Sequence, residues 1–158
     1  MKRMLTHFFT GFLILGIPLI STAQVTTWMT QGTSTGYDQS YDVEVDDDGN
    51  TYLYGQAEGN GKTLTFGSFS QLITAPQAAF VVKIDPNGAV KWMNVFPTNW
   101  IFPWDIAYGS GNIYITGQFV TSIQLNQITL NSIGTGAFIA RMDTSGFITW
   151  ANDLGGAY

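Results

Sequence analysis

The sequence predicts an all-β fold assembled from repeated four-stranded antiparallel units, and two observations carry that reading. Residues 49–56, GNTYLYGQ, recur as GNIYITGQ at 111–118, and residues 79–92, AFVVKIDPNGAVKW, recur as AFIARMDTSGFITW at 137–150. The runs YDVEVD, NTYLYG, AFVVKID and AVKWMNVF are β-branched and aromatic and separated by DDG, Gly-rich and DPNG turn signals, the pattern of short strands. No sustained period of 3.6 residues runs through the chain, which excludes helical solenoids.

The elements follow in chain order. Residues 1–23 carry Lys2 and Arg3, then the apolar run FLILGIPLI, then small residues up to Ala23, the layout of a secretory signal peptide cleaved after Ala23. This predicts a secreted, cell-surface or periplasmic protein with no membrane span after cleavage. Residues 24–36 hold the N-terminal strand of a partial unit, because Trp28-Met29 matches Trp92-Met93. Repeat 1 occupies 37–96 and opens on Tyr41-Asp42-Val43; repeat 2 occupies 97–151 and opens on Trp104-Asp105-Ile106. Residues 152–158 begin a truncated further repeat.

The two motif copies do not share one spacing, which places a length difference between Gly55 and Leu72 and predicts a surface loop there. Within AFVVKID, Phe80, Val82 and Ile84 share one face and Val81, Lys83 and Asp85 the other. Both faces are largely apolar, as in a strand covered on two sides. A period of roughly 60 residues with about four strands suits a β-propeller blade. Two complete units fall short of the four blades that a closed ring needs, so an incomplete propeller is expected.

The pattern GNxYxxG followed by AFxxxxDxxGxxxW resembles the SBBP-type β-propeller repeats of exported bacterial proteins. It is carried by Gly49, Asn50, Tyr52, Gly55, Ala79, Phe80, Asp85, Gly88 and Trp92, and again by Gly111, Asn112, Tyr114, Gly117, Ala137, Phe138, Asp143, Gly146 and Trp150. The resemblance implies a multi-bladed propeller outside the cytoplasm and carries no catalytic set onto these positions.

Composition narrows the chemistry. The chain has no cysteine, and its one histidine, His7, lies in the signal segment, so Ser-His-Asp and Cys-His catalysis and the usual zinc sites are set aside. Lys62, Lys83, Lys91 and Arg141 are the cations after Ala23, against 11 acids, and this excludes a basic stripe for nucleic acid.

Asp85-Pro-Asn-Gly and Asp143-Thr-Ser-Gly read as hairpin turns, with the Asp bonding to its own turn. Trp28, Trp92 and Trp150, one per unit, read as packing residues between sheets. The acidic knot at 46–50, DDDGN, becomes GSGN in the second repeat, so the turn is required there and the acids are not. Its alternative reading is a weak calcium contact through Asp46, Asp48 and Asn50. Trp100, Phe102 and Trp104 form an aromatic cluster that only Tyr41 matches, opposite Trp104, and they are the candidate ligand or interface residues.

The expected function is therefore a non-catalytic structural and binding module. Its partners would be a protein or glycan ligand, and either the remaining blades of a longer chain or further copies of itself; weak calcium aside, it needs no cofactor. The alternative is the N-terminal piece of a propeller enzyme acting on polysaccharide, with catalytic residues outside this chain.

Overall fold

The computed structural model describes residues 28–157; the predicted signal peptide, residues 24–27 and Tyr158 lie outside the described residues. The described chain is all-β, with eleven strands and no helix. They are β1 (Gly32–Thr33), β2 (Asp38–Val45), β3 (Thr51–Glu58), β4 (Thr63–Phe66), β5 (Phe69–Leu72), β6 (Gln77–Ile84), β7 (Val90–Thr98), β8 (Ile101–Gly109), β9 (Asn112–Leu125), β10 (Ile128–Asp143) and β11 (Ile148–Ala157).

Two antiparallel meanders emerge. β2 pairs with β3, β3 with β6 and β6 with β7; in the second unit β8 pairs with β9, β9 with β10 and β10 with β11. The ladders meet only at Thr98 and Ile123, and the sheets do not close on themselves among the described residues. Residues 63–72, expected as a surface loop, instead form the β4–β5 hairpin, joined by β1 into a three-stranded ribbon. Leu64 and Phe66 explain the difference: both are buried, so the hairpin folds onto its unit. In the second unit the same stretch is the outer half of the β9–β10 hairpin, bent where Thr121 takes φ 69° near a register shift. β11 continues to Ala157, which faces Thr135, so residues 152–157 extend the second unit's last strand.

One local device sets register three times. In the loops after β2, β6 and β10, an Asp carboxylate accepts backbone N–H bonds from residues two and four ahead. Asp46 takes them from Asp48 and Asn50, Asp85 from Asn87 and Ala89, Asp143 from Ser145 and Phe147, all at 2.8–3.1 Å. The fourth residue is Gly49, Gly88 or Gly146, at φ 78°, 84° and 94°, a region costly for residues with a Cβ. D-x-x-G is thus a five-residue turn wound around its first carboxylate. The GSGN counterpart is a different object: Gly109 pairs directly with Asn112, leaving a two-residue loop with Ser110 at φ 50° and Gly111 at φ 74°. The reading that the acidic knot needs no acid is therefore corrected. Its first carboxylate organises the turn, and the second unit dispenses with it only by using a shorter loop.

Two apolar layers hold the units. Tyr52, Tyr54, Ala79 and Val81 of the first unit pack with Ile113, Ile115, Phe138, Ala140 and Met142 of the second. On the opposite face of the first unit, Phe80, Val82, Ile84, Met93 and Val95 pack with Leu64 and Phe66. The alternation read from AFVVKID thus becomes two cores on the two faces of β6, each full burial of a large side chain contributing about 1.5–3 kcal/mol.

Tyr54 is fully buried between the units, and its hydroxyl has no hydrogen-bond partner among the described residues. A buried unpaired hydroxyl costs about 1–3 kcal/mol. Tyr54→Phe, which removes only that oxygen, is expected to raise the denaturant midpoint with an unchanged slope; a lower midpoint would show that the hydroxyl has a partner.

Candidate functional site

β8 reads IFPWDIAYG, and alternation sends Ile101 and Pro103 inward while Phe102 and Trp104 stay exposed. Pro103 is tolerated because, among the described residues, β8 pairs with a strand on one side only, β9. Trp100 stacks on Phe102 with ring centroids 6.4 Å apart and planes 16° apart, and Phe102 meets Tyr41 of β2 edge-on at 5.1 Å. Trp100 is 37% exposed and Phe102 42%, so the platform faces solvent. Trp104 is equally exposed but makes no ring contact among the described residues, so the predicted trio becomes Trp100 and Phe102 with Tyr41.

A chain of polar side chains links the two ends of this platform. The Tyr41 hydroxyl donates to Gln56 Oε1 at 3.3 Å, Gln56 donates to Glu58 at 3.5 Å and Gln77 donates to the same Glu58 oxygen at 3.0 Å. Gln77 Oε1 in turn accepts from the backbone N–H of Ile101 at 2.9 Å, next to Trp100. Sequence reading passed over this network. Gln56 recurs as Gln118 and offered a signal, but Glu58 and Gln77 have no motif around them.

The repeated aspartates of the first strands come together. Asp42 accepts N–H bonds from its neighbour Val43 at 2.8 Å and from Ile106 across the units at 3.0 Å, and Asp105, next to Ile106, influences its titration. Burial raises the Asp42 carboxyl, but these bonds outweigh burial and hold it below the ordinary range. Asp105 is pushed up, first by its hydrogen bond to Asp42, then by burial and by the charge of Asp42. Opposed shifts can mark an acid–base pair. Here the Asp42 carboxylate is already engaged by the backbone N–H groups of Val43 and Ile106. Asp42 is occupied with a strand clasp.

Asp46, Asp48 and Asn50 are also together, in a donor-rich arrangement. The buried Asp46 carboxylate accepts both backbone and side-chain N–H bonds from Asn50, the Tyr52 hydroxyl at 2.9 Å, and lies 3.7 Å from the Lys83 ammonium. A cation at this carboxylate would have to displace Lys83 and reverse the Asn50 amide. No group of three or more His, Cys, Asp or Glu is placed to hold a metal ion among the described residues. The neighbouring Asp47 accepts the Tyr108 hydroxyl at 3.0 Å, tying the turn to the second unit.

No family model matches the chain, and no curated protein matches it.

Burial pushes the Asp46 carboxyl up, but the bonds from Asn50 and Tyr52 and the charge of Lys83 prevail and hold it below the usual range. Its stabilisation is complete above the unfolded value near ~4 and is lost as pH falls through the lowered folded value. Asp46→Asn is expected to cost about 2–3 kcal/mol at neutral pH, because Lys83 loses its partner and amide hydrogens face donors. Its stability should also fall less steeply between pH ~4 and 2. Urea unfolding across pH checks both; an acid limb identical to wild type would contradict the assignment.

Proposed function

We propose that this chain is a non-catalytic secreted or surface β-propeller segment serving as a structural and binding module, with a glycan as ligand of the Trp100–Phe102–Tyr41 platform. The propeller reading is supported by two antiparallel meanders of four strands, stacked face to face, whose first strands are clasped together by Asp42. Fold alone does not set function, so the ligand reading rests on the platform.

The observation that carries it is an exposed aromatic stack flanked by amide and carboxylate side chains. A sugar ring has apolar C–H faces that lie on aromatic planes and hydroxyls that need donors and acceptors beside them. The exposed Gln39, whose Oε1 accepts from Tyr37, supplies such a group near Tyr41. Trp100 and Phe102 have no counterpart in the first repeat, so the repeat architecture does not require them.

Titration of the mature chain with a panel of soluble oligosaccharides, read by tryptophan fluorescence and calorimetry, tests the proposal. Trp100→Ala and Phe102→Ala are each expected to weaken binding at least about ten-fold, or 1.4 kcal/mol, while Trp104→Ala, outside the stack, has a smaller effect. Absence of binding across the panel, or binding indifferent to both substitutions, would overturn it.

A further inference from the structure

The contact between the two units follows a rule, and the rule is applied twice among the described residues. Asn94 Nδ2 of β7 donates to the carbonyl of Gly146 at 2.6 Å, and Trp92 Nε1 donates to the carbonyl of Thr144 at 3.2 Å. A Cβ at Gly146 would lie 2.8 Å from Asn94 Nδ2 and 3.3 Å from the Trp92 ring, so Trp-x-Asn covers the glycine of the next unit's D-x-x-G turn. One unit earlier, Thr30 Oγ1 donates to the carbonyl of Gly88 at 2.7 Å, and a Cβ at Gly88 would lie 2.6 Å from Trp28. Trp28-Met-Thr30 therefore treats the turn at 85–89 as Trp92-Met-Asn94 treats the turn at 143–147.

Trp150-Ala-Asn152 stands third in this register, on a face that none of the described residues covers. In the first unit Tyr52, Tyr54, Ala79 and Val81 are each 0% exposed beneath the second unit. Their counterparts Tyr114, Thr116, Ala137 and Ile139 are half-buried, and Asn152 is exposed. The tyrosine–tryptophan pair recurs as well, Tyr52–Trp92 at 5.9 Å and Tyr114–Trp150 at 6.4 Å. Lys83 lies over the Tyr52 ring and bonds Thr144 across the interface; its counterpart Arg141 lies over Trp150. The open face thus repeats the chemistry of a face that is covered.

The complementary surface is in the same chain. Leu53 and Phe80 line a cleft of about 550 Å³ on the far side of the first unit, with Met29, Leu64 and Phe66. Their counterparts, Ile115 and Phe138, are the residues the second unit buries against the first. Trp28–Thr30, beside this cleft, is not in a strand, and Met29 is 89% exposed.

We propose that the open face of the second unit binds the cleft side of the first unit of a second copy, head to tail. Trp150 and Asn152 then take the place of that copy's Trp28 and Thr30 on the turn at 85–89, Asn152 donating to the Gly88 carbonyl. Such an interface is heterologous, so it builds rings if the rotation closes and open chains if it does not. The proposal goes beyond the ligand reading; Gln39 lines the cleft as well, but the substitutions that test the proposal leave it and the aromatic platform unchanged.

Sedimentation equilibrium of the chain from Gln24 to Tyr158 tests it. The mass is expected to exceed one chain as concentration rises toward ~100 μM, where an interface of micromolar affinity is saturated. Ile139→Glu combined with Asn152→Lys changes only half-buried and exposed positions and is expected to weaken association at least about ten-fold with an unchanged circular dichroism spectrum. Trp28→Ala combined with Thr30→Ala frees the Gly88 turn and should strengthen association. A wild-type chain monomeric throughout, or an Ile139/Asn152 variant that is folded and associates like wild type, would overturn the proposal.

Discussion

The arrangement rests on a carboxylate that accepts the N–H groups of its own turn. Five-residue loops leave several backbone donors pointing inward, and buried donors without partners are costly. Asp46, Asp85 and Asp143 each satisfy them with one oxygen and fix where the next strand starts. Pairing follows: Val45 opposite Thr51, Val90 opposite Ile84, Ile148 opposite Met142. A one-residue slip would send each strand's apolar set to the wrong face, so the turns decide which residues form the cores.

The same turns are surfaces as well as corners. At two of them the glycine that permits the backbone also exposes its carbonyl, and Trp28-x-Thr30 lands on Gly88 as Trp92-x-Asn94 lands on Gly146. Local conformational need and inter-unit recognition therefore fall on one residue. Asp46 differs from the other two in being buried and facing Lys83, so the first turn is held from inside the unit as well.

Much of the architecture was legible because it is periodic. The repeated AFxxxxDxxGxxxW marks β6, β7, β10 and β11, and alternation within AFVVKID assigns its residues to two cores. What was not legible depended on partners distant in sequence. Residues 63–72 vary in length and read as a loop, yet Leu64 and Phe66 bury there against strands far along the chain. Asp46 looked dispensable because alignment on Gly-Asn hid a change of turn type between the units. Trp100 and Phe102 stood out as unmatched aromatics, whereas Tyr41, Gln56, Glu58 and Gln77 joined them only once β2, β3 and β6 lay beside β8.

Among the described residues the units share a single backbone pair, Thr98 with Ile123, and otherwise touch through side chains and the backbone groups those side chains bond. A continuous ladder would bind the register of one unit to that of the next, whereas a seam made of side chains does not. Insertion or loss of a whole unit therefore leaves every remaining strand with its original hydrogen-bonding partners. In such a chain, duplication of a gene segment is a conservative change, and the length of the array can drift while the geometry of each member stays constant.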